Sequence, residues 1–329
     1  MLIENEFRKC VGFLCVESVE NGETHWRPAG TAFLVVVPLS DEVGIGYVVT
    51  AQHVVNATRP YDGLYLRVNH KDGGHRQFRI DPDDWVLHPK ADVAVSRATL
   101  SDEFDVEYLH LDKLATDEYV VEQRIGEGDE VFFSVLFGKH TGSEQIQPVV
   151  RFGNISLMPR EPVPIKLDPA SEPIDCDAYL VEARSWGGHS GSPAFIYYLP
   201  TREEGFLTLT TYGESGIRLL GLIHGHFPME ADVQVIGDAI LGQATVDVNA
   251  GIAVVVPAQK IIDLLMETEE LVNDREAAKK TKEQNRAKAV PDVASPQPQS
   301  ESNLTRGEFE DALEKATQKT EEPTKRTDR

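Results

Sequence analysis

GGHSGSPAF, residues 187–195, is the stretch on which the fold turns. Its serine, Ser190, lies in a glycine-rich run just ahead of a β-type segment. A tight loop of this kind leaves a hydroxyl exposed while nearby N–H groups converge on one spot. Cleaving an amide through an acyl intermediate needs a nucleophile, a base for its proton, and donors for the oxyanion. Ser190 suits the first role. The backbone N–H groups of Gly188 and Ser190 suit the last, and Gly188 tolerates backbone angles that a side chain would resist. A lone serine in such a loop is usually only a turn residue, so the rest of the chain has to supply the base.

Two stretches upstream do so. YVVTAQHVVNA, residues 47–57, sets His53 directly after an apolar β-type run. HPKADVAVSRA, residues 88–98, sets Asp92 ahead of a short alternating strand. Asp83, Asp84 and Asp105 are nearby acids, none followed by so clean a strand. Taken singly, His53 is as well explained as a core histidine and Asp92 as a turn acid. Their joint context and chain order carry the argument.

In that joint context the chain resembles the trypsin-like (chymotrypsin-fold) serine peptidases of the bacterial type. Gly-x-Ser-Gly-Ser-Pro around Ser190, Thr-Ala-x-His at His53 and Asp-x-Ala at Asp92 stand in that family's order of base, acid and nucleophile. The resemblance implies a serine endopeptidase acting on a protein or peptide substrate, with no cofactor. His53 would be the base, Asp92 the residue that orients it, and Gly188 and Ser190 the oxyanion hole. It also implies two packed six-stranded β-barrels with the triad between them and a C-terminal helix. His189 departs from trypsin, which carries an aspartate before the nucleophile, so activation through that ion pair is not expected.

GGHSGSPAF followed by Gly-Leu-Ile-His is similar to the glutamyl endopeptidases, whose specificity pocket holds a histidine. Carried over with a shift of register, the likeness puts His224, and Arg184 at the pocket floor, beside an acidic substrate residue. The alternative is that Arg184 points outward and His224 merely packs. His224 and His226 form an HxH pair on one strand face, without a third ligand at a persuasive spacing, so no metal is expected. An α/β-hydrolase elbow is excluded by the Ser192 that stands where its last glycine belongs, and by the order of the residues.

The β-type runs continue on both sides of these boxes, as CVGFLCVE, GTAFLVVVP, GLYLRV, EVFFSVLFG and RLLGLIHG. Broken by Gly, Pro, Asn and Asp, they point to an all-β domain over residues 1–268, divided near 115–128. PAQKIIDLLM then reads as a docked helix with Ile261, Ile262, Leu264, Leu265 and Met266 inward. Residues 269–329 read as a charged, largely disordered tail with a short amphipathic helix at 303–316, either solvated or docking a protein partner.

A net charge of −22 over 329 residues argues against nucleic acid and against an anionic membrane surface. No apolar run approaches the roughly 20 residues of a membrane helix. Three cysteines, with no signal-peptide pattern ahead of them, fit the cytoplasm rather than a disulfide framework. The rival to an active peptidase is a latent or inactive peptidase fold serving as a binding scaffold.

Overall fold

Valine, isoleucine and aromatic runs punctuated by turn residues form sixteen strands among the residues that the computed structural model describes, 3–40, 43–137, 142, 144–168, 171–183, 189–197, 216–235 and 242–289. In the N-terminal half these are β1 (Val11–Glu20), β2 (Glu23–Ser40), β3 (Val43–Thr50), β4 (Leu64–Asn69), β5 (His75–Ile80), β6 (Val86–Leu87), β7 (Ala94–Arg97) and β8 (Leu109–His110). The first seven pair in the order β5-β4-β1-β2-β3-β7-β6, and β8 runs parallel to β2. Asn21 and Gly22 turn β1 into β2 with φ of 54° and 82°, the left-handed pair that a two-residue hairpin requires. Strand β2 lies centrally between β1 and β3, and so its run from Ala32 to Val35 is fully buried.

The C-terminal half closes. Strands β9 (Glu130–Val135), β10 (Val149–Leu157), β13 (Tyr179–Glu182), β14 (Pro193–Tyr197), β15 (Ile217–Val235) and β16 (Gly242–Pro257) form a six-stranded barrel in the order β10-β13-β16-β15-β14-β9. Strands β11 (Val163–Ile165) and β12 (Ile174–Cys176) pair separately.

The fold is therefore mostly β with one closed barrel, where two six-stranded barrels were expected. Among the described residues no pairing joins β5 to β6 to close the first sheet. Strand β6, only two residues long, pairs with β7 and forms that end of the sheet.

The halves share one core. The helix α1 (Glu6–Lys9) inserts Phe7, fully buried, edge-on to Phe195 at 5.1 Å and to Phe132 at 6.2 Å. The carbonyl of Phe7 accepts the Ser134 hydroxyl at 2.5 Å. Helix α2 (Gln52–Thr58) follows β3, and α3 (Asp117–Glu122), capped by the Thr116 hydroxyl, precedes the barrel.

After β16 the helix α4 (Ala258–Glu267) buries Ala258, Ile261, Leu264 and Leu265, while Met266, expected inward, is 42% exposed because it falls off that stripe. Where the tail was expected to begin, α5 (Glu269–Ala289) continues as a helix. Leu271 is buried, and so is Arg275, whose guanidinium donates to the Tyr47 hydroxyl at 3.3 Å. The linker at 290–303 and the helix at 303–316 lie outside the described residues. No helix among the described residues is long and apolar enough to cross a membrane.

Candidate active site

Strand pairing brings His53 to Asp92. Strands β3 and β7 run antiparallel with Thr50 opposite Ala94, so the chain just beyond Thr50 meets the chain just before Ala94. His53 stands in the first turn of α2, where backbone N–H groups lack helical acceptors. Its N–H donates instead to Asp92 Oδ1 at 2.8 Å, and its ring Nδ1 lies 2.6 Å from Oδ2. Two bonds from one carboxylate fix both the backbone and the ring of His53.

Asp92 is fully buried, and that burial by itself would raise its pKa. Hydrogen bonds from His224 and His53 outweigh the burial and hold the carboxyl well below the usual carboxylate range. An ionised carboxylate only accepts, so each ring nitrogen facing it must donate. His53 therefore carries its proton on Nδ1 and leaves Nε2 as the basic nitrogen. A base of this kind can take a proton from a hydroxyl in reach.

The third residue arrives from the barrel. The loop ahead of β14 is tied to the N-terminal sheet by Thr31 N–H, which donates to the Ser190 carbonyl at 2.9 Å. It is tied to β15 by Gly191 N–H on Ile223 O at 2.8 Å and by Ile223 N–H on Ser192 O at 2.9 Å. The Ser190 hydroxyl donates to the carbonyl of His224 at 2.9 Å, not to His53.

His224 also reaches the carboxylate. Its Nδ1 lies 2.5 Å from Asp92 Oδ2, the same oxygen that His53 holds, and the two imidazoles meet edge to face at 4.9 Å. The ligand atoms of His53, Asp92 and His224 lie within 4.8 Å of one another, which makes them a possible metal-ligand set. A metal bound through the two Nδ1 atoms would displace the protons that now bond Asp92 at 2.5 and 2.6 Å.

The chain matches no protein-family model and no curated protein sequence.

Arg184 and Gly188, named above for the pocket floor and the oxyanion hole, lie outside the described residues. His224, named above for the specificity pocket, bonds Asp92. It does so at a β-bulge: Ile223 pairs with Val255 and Gly225 with Val254, so His224 is the extra residue on β15. A bulge re-aims the side chain it carries, and no period-2 pattern in the sequence announces one. His226, the other half of the HxH pair, is not in this cluster. Cys10, Cys15 and Cys176 are all free and buried, and burial pushes the thiols of Cys15 and Cys176 up to about 11. Protonated thiols of this kind are poor nucleophiles.

His189, beside Ser190, is 2% exposed. Burial first, then the charges of Arg151 and His226, push its pKa down to about 4. It is neutral at neutral pH. The unfolded chain takes up this proton below about pH 6.5 and the folded one only near pH 4. The unfolded state therefore binds more protons in that window, and stability falls as the pH drops through it. Urea unfolding should show His189→Gln losing less stability than the parent between pH 6.5 and 4, by about 3 kcal/mol at most. Parallel pH curves would contradict this.

Proposed function

We propose that the chain is a serine endopeptidase of the trypsin-like type, hydrolysing peptide bonds of protein or peptide substrates. The observation that carries this is the buried Asp92 carboxylate holding His53 by two bonds, with Ser190 anchored on a residue that bonds the same carboxylate. The N-terminal sheet corresponds in this account to the first barrel of that family, and the closed C-terminal barrel to the second.

His53 Nε2 takes the proton of the Ser190 hydroxyl as the oxygen attacks the scissile carbonyl. The hydroxyl must first turn away from the His224 carbonyl that holds it in this structure. Asp92 keeps the ring in place and stabilises the imidazolium that forms. The backbone N–H groups of Gly188 and Ser190 receive the oxyanion. His53 then returns the proton to the leaving amine, and water activated by the same nitrogen frees the acyl group.

An extended substrate would find backbone partners on β15. Strand β14 pairs with β15 only as far as Leu222, so beyond that residue one edge of β15 has no strand beside it among the described residues. Three free cysteines suit the cytoplasm, and the charge of −22 gives no footing to nucleic acid or to an anionic membrane. The tail beyond α5 is the segment for a protein partner.

The bond from Ser190 to the His224 carbonyl also favours a second reading, a latent or inactive peptidase fold used as a scaffold. Digestion of an unfolded protein separates the two. The parent should cleave it, and Ser190→Ala should lose about 10³-fold or more of that rate. Cleavage undiminished in Ser190→Ala would reject the assignment.

A further inference from the structure

The C-terminal half carries a pocket of about 340 Å³ whose lining includes none of His53, Asp92, Ser190 and His224. It opens between α3, the chain just after β10, β13 and the first turn of α4. That volume falls in the range of small-ligand sites. Bonds already made fix its walls. Thr116 caps α3 by accepting the Tyr119 N–H at 3.1 Å. The Asp117 N–H donates to Gln259 Oε1 at 3.2 Å, and Gln259 Nε2 donates to Asp263 Oδ1 at 2.7 Å, so α3 is tied to α4.

The lining is apolar within and charged without. Val120, Ile125 and Tyr179 are buried, whereas Asp117, Glu127, Arg160 and Asp177 are exposed. Val121, 75% exposed, adds apolar surface at the mouth. Both cations of the lining are matched: Arg160 lies 2.9 Å from Glu127, and Lys260 lies 2.9 Å from Asp177. Asp117 has no ion pair among the described residues. Burial raises its pKa, Lys260 lowers it, and Glu118, Asp263 and Asp177 raise it again, so the carboxyl stands where positive charge is short.

We propose that this pocket binds the amino terminus of a peptide beginning with a large apolar residue, whose side chain packs on Val120, Ile125 and Tyr179 while its α-ammonium pairs with Asp117. The order of the lining selects that chemistry. A lysine or arginine side chain carries its charge at the far tip and would bring it against the buried apolar wall, where an unpaired charge is costly. A wholly apolar ligand would leave Asp117 without its cation. In an amino terminus the charge sits at the root of the first side chain, outside, and the apolar group points in. The pocket stands apart from Ser190, and the binding does not rest on the peptidase function proposed above.

The test uses the full chain as Ser190→Ala, labelled with ¹³C-methyl methionine, so that no probe is consumed by cleavage. The probe is Leu-Gly-Ser-Gly amide, and its N-acetyl form is the uncharged control. Met158 lines the pocket, and its NMR signal is identified by its loss in Met158→Leu. That signal should shift saturably with the free peptide. Acetylation should weaken binding about 10-fold or more, the usual scale for losing a hydrogen bond to a charged group. Asp117→Asn should weaken the free peptide by about as much and leave the acetylated one unchanged. Gly126 also lines the pocket, and an added Cβ there meets nothing within 4 Å, so Gly126→Leu fills the space without a clash and should abolish the shift. No shift of Met158, equal binding of the two peptides, or unchanged binding in Gly126→Leu would overturn the proposal.

Discussion

Asp92→Asn is expected to slow acylation of Ser190 about 10⁴-fold, the scale reached when the orienting carboxylate of such a triad becomes an amide. The donors around Asp92 dictate the loss. An asparagine has one oxygen and one NH₂ where the aspartate has two acceptors. The backbone N–H of His53 cannot change its protonation, so the amide oxygen must stay opposite it, in the place of Oδ1. The NH₂ then takes the place of Oδ2 and faces both imidazoles. Each ring can accept it only by moving its proton from Nδ1 to Nε2. His53 then presents N–H, not a lone pair, to the nucleophile, and proton removal stops. The measurement is the rate at which a fluorophosphonate phosphonylates Ser190 with loss of fluoride, on variant protein shown to be folded by circular dichroism. A loss below tenfold would contradict the tautomer assigned to His53.

The second large effect is on stability. Gly191→Ala should destabilise the protein by roughly 3–5 kcal/mol in urea unfolding, at the upper end for single substitutions. Gly191 has φ of 81°, a conformation strained for any side chain. Its Cβ would also lie 2.2 Å from the Thr31 carbonyl oxygen and 2.3 Å from the Thr50 hydroxyl. Neither can step aside, because Thr31 O is the acceptor of that same hydroxyl at 2.7 Å and the Thr31 N–H holds the Ser190 carbonyl. The added methyl would push the Ser190 loop off the N-terminal sheet. Gly225 is the control: its φ is not positive and an added Cβ there meets nothing within 4 Å. Gly225→Ala should stay within about 1 kcal/mol of the parent. A similar small change at Gly191 would contradict the tight docking of that loop.

Much of the fold is legible in local pattern. Asn21-Gly22 marks a hairpin by its backbone demands, and the run from Ala32 to Val35 marks a strand covered on both faces. Ile261, Leu264 and Leu265 mark the buried stripe of α4. What the pattern hides depends on distant partners. Helix α5 is held through Leu271 and a buried arginine, and Arg275 is explained only by the Tyr47 hydroxyl, which is remote in sequence. That β6 is only two residues long and ends the N-terminal sheet is invisible while Val86 and Leu87 read as an ordinary apolar pair. At the site, the meeting of His53 and Asp92 is legible because both flank paired strands, His53 just after β3 and Asp92 just before β7. The second imidazole on Asp92 is not, because a bulge shifts His224 out of the alternation by which strand faces are assigned.

The proposed function requires that Ser190, His53 and Asp92 form a working nucleophile. The most direct measurement is reaction of the purified protein with a fluorophosphonate beside its Ser190→Ala variant, with the modified residue located by mass spectrometry. One adduct is expected, on Ser190, absent from the variant. A folded parent that gains no adduct, or one that gains it at another residue, would contradict the claim.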